Sequence, residues 1–139
     1  VQGTILAVFA AICWGIAPIA AKMALRSVSP VIGMGVRSAI AAGMVSVWLF
    51  TTGSYRQAGT LGGRSLVWLT VEALLATVVG DAAYFYALKH GQAGQVSLIM
   101  AASPLVTLTV ATMLLGEPIS LAKWLGATLI IGGLFLITF

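Results

Sequence analysis

Only three acidic residues occur in the chain, and two of them, Glu72 and Asp81, fall inside one apolar stretch. A carboxylate at mid-bilayer costs about 2.5–3.5 kcal/mol on insertion scales, so it normally faces protein or a wet cavity and has a partner or a task. At helical spacing, Thr70, Leu74, Thr77, Asp81 and Tyr84 fall on one face and form a polar stripe. Glu72 points to nearly the opposite side, so the two carboxylates of one chain do not form the paired acids of a membrane aspartyl enzyme. Arg37 is the better partner for Asp81. It lies seven residues after Pro30, where one apolar run begins, and Asp81 lies seven residues before Leu88, where another ends. Both run ends lie on the same side of the membrane, which puts the two side chains level, about 10 Å deep at 1.5 Å per residue. An Arg37–Asp81 ion pair would reduce the cost of burying both charges. It can serve as a structural staple, or as a group that meets substrate or a coupling proton.

Other residues fit a cavity beside this pair. Pro18 and Pro104 each lie within an apolar run and remove a backbone hydrogen bond, freeing the carbonyls of Trp14 and Met100. In lipid such groups persist only where other helices or water satisfy them. Trp14 and Tyr84, both near mid-depth, would supply aromatic walls. Glu72, about six residues into its run, can snorkel toward the interface or face a second subunit. Gly35, Ala39 and Gly43 form a small-xxx-small row, and Ala122, Gly126, Leu129 and Gly133 form another narrow stripe; both suit close helix approach or dimerisation. The alternatives are plain packing kinks at the prolines and core filling at Trp14.

The elements that must position these residues follow from composition. Hydrophobic residues make up 60% of the 139, charged ones 7%, and the mean hydropathy is +1.10, values of an integral membrane protein. Five runs have spanning length, at about 3–25, 30–50, 66–88, 95–115 and 121–139, giving an all-α domain over 1–139 with no soluble part. The first run is too long for a signal h-region and is expected to stay as a span. The lone Cys13 has no partner for a disulfide, and seven scattered basic residues make no nucleic-acid patch. Trp48, Trp68 and Trp124 sit near span ends, as interfacial aromatics do.

An odd number of spans puts the two termini on opposite sides. One side then carries Arg56, Arg64 and Lys123, and the other Lys22, Arg26 and Lys89. Three against three gives the positive-inside rule no lever. That balance suggests insertion both ways up and an antiparallel homodimer, which would build an inverted repeat from two copies; the alternative is one orientation set by weaker cues. With one histidine, His90, and no metal spacing, phosphate loop or nucleophile motif, no metal, cofactor or enzymatic activity is expected. Uphill movement of a solute would need an ion gradient.

The segments CWGIAPIAAKMAL (13–25), SPVIGMGVRSAIAAG (29–43), GDAAYFYALKHGQAGQVSLIMAASPLVTLTVATMLLGEPIS (80–120) and WLGATLIIGGLFLI (124–137) resemble the EamA-type repeat of the drug/metabolite transporter superfamily. YALKHG, a proline inside the fourth run, GEPIS and a final LGATLIIGG follow in the family's order. Typical members carry two such repeats in inverted orientation, and this chain resembles the single-repeat, five-helix members thought to act as dimers. The resemblance matches Trp14, Gly15, Lys22, Arg37, Tyr84 to Lys89, Pro104, Gly116 and Glu117. It implies a cavity lined by the third and fourth helices and export of metabolites, amino acids or drugs.

Together these readings describe a secondary transporter, an exporter of small polar or zwitterionic metabolites in a prokaryotic cell membrane. It would work by alternating access in a dual-topology homodimer, with proton coupling at Asp81. Export of amphipathic cationic drugs is the second reading. A non-transporting helper subunit of a larger complex, which needs no wet cavity around Asp81, is the third.

Overall fold

A computed structural model of the chain describes residues 2–138. Among the described residues every regular element is helical: α1 Gln2–Ala24, α2 Pro30–Thr51, α3 Tyr55–Ala58, α4 Gly63–Ala73, a π-helical segment Leu74–Gly80, α5 Asp81–His90, α6 Ala93–Met100, α7 Ser103–Leu115 and α8 Leu121–Thr138. Among the described residues four stretches are long and apolar enough to cross a membrane: Gln2–Ala24, Pro30–Thr51, Gly63–His90 and Ala93–Leu115. At 18 residues, α8 extends about 27 Å, close to the thickness of a hydrocarbon core. The end of the last predicted run, Phe139, lies outside the described residues.

Local chemistry accounts for the boundaries. Pro30 opens α2, where its missing N–H is no loss, and the Ser29 hydroxyl caps that turn by accepting from the Ile32 amide at 3.4 Å. At the other end the Thr52 hydroxyl donates to the Trp48 carbonyl at 2.8 Å. The predicted 66–88 run is longer than expected, since the helix starts at Gly63 and continues to His90. Its 28 residues exceed what an upright span needs.

The fourth span departs further from expectation. Pro104 does not interrupt a continuous helix. The chain leaves helix at Ala101 and Ala102, and Pro104 sits in the first turn of α7, where its missing N–H would have had no partner anyway. The Ala102 amide donates to the Ile99 carbonyl at 3.0 Å, and the Leu105 amide to Ala102 at 2.9 Å. Hydroxyls within the later helices turn back on their own backbone: Thr109 donates to Leu105 at 2.9 Å and Thr112 to Leu108 at 2.8 Å. Such groups cost little in lipid.

The chain forms two compact units, the first ending at His90 and the second beginning at Gly91. In the first, α5 packs against α1 and α2, with Leu25, Phe85 and Leu88 buried. In the second, α6 meets α8, and Val96 is buried. Most large apolar side chains of both units are exposed. Water would not tolerate so much exposed apolar surface; lipid, or a further helix, is its natural surrounding.

Candidate functional site

The ion pair expected from depth alone is present. The Arg37 guanidinium of α2 donates to the Asp81 carboxylate at the start of α5, 44 positions later in the chain. Asp81 is mostly covered, its side chain 17% exposed, whereas Arg37 remains half open at 51%. The guanidinium carbon stands 5.5 Å from the centroid of the Phe85 ring, a cation–π distance. Tyr84, half-buried beside Phe85 with ring centroids 6.0 Å apart, lies within electrostatic range of both charges.

Packing fixes this group in place. Phe85 is four residues after Asp81, on the same helical face, and is only 3% exposed. It can approach α2 because position 33 has no side chain: a Cβ there would lie 3.3 Å from Phe85 Cε1 and 3.3 Å from Leu25 Cδ2. The charge pair therefore rests on a packed contact among Gly33, Leu25 and Phe85. The sequence signal for Phe85 is its i+4 relation to Asp81; Gly33 sits just outside the small-residue row and carries no separate signal.

A second polar arrangement ties together the ends of α1 and α5. Lys22 Nζ donates to the carbonyls of Leu88 and of Lys89, the latter at 3.3 Å. In return, Lys89 Nζ donates to the carbonyls of Leu25 and of Val28, the latter at 3.1 Å. Both helices end here, so two sets of unsatisfied carbonyls and two negative dipole ends lie together, each met by the other helix's cation. Lys22 and Lys89 read as loop charges in the topology count; in the structure both are partly buried and engaged with backbone.

The rest of the expected site is dispersed. Thr70, Leu74 and Thr77 line an open groove of about 370 Å³ with Leu69, Ala73 and Val78, while Asp81 and Tyr84 are not among its walls. Asp81, four residues beyond Thr77, lies past the end of this groove. The Thr70 hydroxyl is already used, donating to the Leu66 carbonyl at 2.8 Å. Trp14 is 77% exposed on α1, and among the described residues no ring contact joins it to Tyr84. Glu72 is exposed and, among the described residues, forms no ion pair. Pro18 is buried in α1, and Pro104 is exposed at the start of α7.

The small-residue rows do not make the contacts of Gly33. A Cβ at Gly35, Gly43, Gly126 or Gly133 would meet nothing within 4 Å, and Ala39 is exposed. Gly116, carried by the GEPIS segment, ends α7 in the left-handed conformation. Among the described residues no group of three His, Cys, Asp or Glu side chains is arranged to hold a metal ion.

The model of the EamA-like transporter family matches residues 1–139. An uncharacterized transporter in the cobO 3′ region of a Sinorhizobium species is 26% identical over 117 residues, covering 84% of this chain and 82% of that protein. The relative is therefore of similar length. No solved structure gives a significant match.

Proposed function

Because the chain belongs to the EamA-like transporter family, a family of multi-pass membrane proteins, we propose that it is a secondary transporter exporting small polar or zwitterionic metabolites, amino acids foremost, as an antiparallel homodimer. The observation that carries this reading is the Arg37–Asp81 pair, one partner covered and the other half open, within the apolar helices of the first unit. A zwitterion offers a carboxylate to Arg37 and an ammonium to Asp81. It can enter by exchanging with the internal pair, so that each charge keeps a counter-charge throughout and the desolvation cost of separated ions is avoided. A proton on Asp81 has the same effect on one side only, freeing Arg37 to hold a substrate carboxylate. This gives proton coupling a concrete form.

The faces that one copy leaves uncovered support the homodimer. Gly35, Ala39 and Gly43 on α2 and Gly126 and Gly133 on α8 form narrow faces with open space before their glycines, as a close-packed helix from a second copy requires. Arg37 lies on the same helix but about 160° round from the middle of this row, so a second subunit docking on the row leaves the half-open charge on the opposite face of α2. Two copies inserted in opposite senses would supply the inverted repeat needed for alternating access.

Reconstitution into liposomes with a panel of amino acids, reading substrate-dependent proton flux, tests this function. Flux is expected from the wild type. It should be lost in Arg37→Ala and Asp81→Asn at normal expression and assembly. Absence of flux with every panel member, or full flux in Asp81→Asn, would overturn the proposal.

A further inference from the structure

The third span is not α-helical throughout. Over Leu74–Gly80 it is a π-helix, and the next residue is Asp81, whose amide donates to the Ala76 carbonyl five residues back. A π-turn holds one residue more than an α-turn, so the residues beyond it are turned by about 100° relative to an uninterrupted α-helix. Thr70, Leu74 and Thr77 line the groove, whereas Asp81, which continuous α-helical spacing would place on that face, meets Arg37 on α2.

Gly80 closes this segment. A Cβ at that position would lie 2.9 Å from the Leu75 carbonyl oxygen, closer than side-chain carbons approach. The obstacle is a backbone atom, so relief requires moving the turn itself. π-turns are rare and often found at functional sites, and in lipid no bulk water compensates a poorly bonded backbone. Here the turn yields the direction of one carboxylate.

The geometry points to Gly80 as a positioning residue: by lacking a side chain it permits the π-turn that aims Asp81 at Arg37. This rests on the reading of that pair as the binding and coupling site. Gly80→Ala forces the segment toward α-helix with the residue count unchanged, which turns Asp81 away from Arg37. Deleting Val79, an exposed residue of the same segment, removes the extra residue and returns Asp81 to its original face.

The test uses spin labels at Ile40→Cys and Ala83→Cys in a Cys13→Ser background, together with the liposome flux assay on the amino-acid panel. The interspin distance is expected to shift in Gly80→Ala and to return to the wild-type value when Val79 is also deleted. Flux should fall about a hundredfold in Gly80→Ala and recover with the deletion. An unchanged distance in Gly80→Ala, or a distance or flux that the Val79 deletion does not restore, would overturn the proposal. Should Gly80→Ala fail to fold, the Val79 deletion alone decides: it is expected to keep the wild-type distance, and a shifted distance would overturn the aiming role. If Asp81→Asn itself keeps full flux while the distances behave as expected, the functional reading fails and the aiming of Asp81 stands.

Discussion

Lys22 and Lys89 each hold the carbonyl end of the other's helix. Cations at helix C-termini are worth about 0.3–2 kcal/mol, and hydrogen bonds from charged groups about 1.5–3 kcal/mol. Lys22→Met or Lys89→Met, which keep length and helix propensity, should each lower stability in detergent by roughly 1–3 kcal/mol on those figures. Lys123→Met, at an exposed position in the first turn of α8, should leave it unchanged. Thermal unfolding of the purified variants checks this.

Gly33 and Gly35 differ by two positions and should respond oppositely to alanine. At Gly33 the new methyl meets Leu25 on one side and the Phe85 ring on the other, both at 3.3 Å, so neither can yield freely. Overpacking of this kind costs about 1–3 kcal/mol and outweighs the helix propensity gained, about 1 kcal/mol. At Gly35 only the propensity gain remains within one chain. Parallel melts of Gly33→Ala and Gly35→Ala should move in opposite directions.

Phe85 joins the packing of the first unit to its charge pair. Phe85→Ala empties a buried position and should cost about 3–5 kcal/mol. Phe85→Leu fills most of that volume and should cost less than half as much, while removing the ring beneath the Arg37 guanidinium. Unfolding midpoints of the two variants beside Arg37→Ala would separate the packing loss from the loss of the cation–π contact.

The open rows give a prediction about assembly. Gly35→Leu and Gly43→Leu add bulk where one chain has space, so the fold of each subunit should survive. If a second copy packs there, the oligomer should dissociate at concentrations where the wild type remains dimeric. Light scattering of detergent-purified protein reads this, and a wild-type monomer would remove the basis for the homodimer.

How far a residue's place is legible in the sequence depends on the kind of regularity it obeys. The spans follow from hydrophobic run lengths, and the Arg37–Asp81 pair from counting inward from two helix ends, because rise per residue is nearly constant. The polar stripe fails in its middle for a related reason. Spacing rules assume a constant turn, and the π-segment at Leu74–Gly80 breaks that assumption with residues such as Leu, Ala and Val, which suit an α-helix equally well. Pro104 is legible as a disruption, but sequence does not distinguish a kink from a helix restarting. Lys22 and Lys89 are legible as cations near helix ends; that each serves the other's helix depends on which helices become neighbours.

The reciprocal lysines also order the chain's assembly in time. The acceptors for Lys22 lie 66 and 67 positions downstream of it, so the first helix enters the membrane well before its lysine's lasting partners have been synthesised. Until then the ammonium lacks these two carbonyls. The Leu25 and Val28 carbonyls wait equally long, since their donor arrives with Lys89. The first unit therefore locks only when its third span is in place, and a nascent chain halted before that point would hold two inserted helices without their latch.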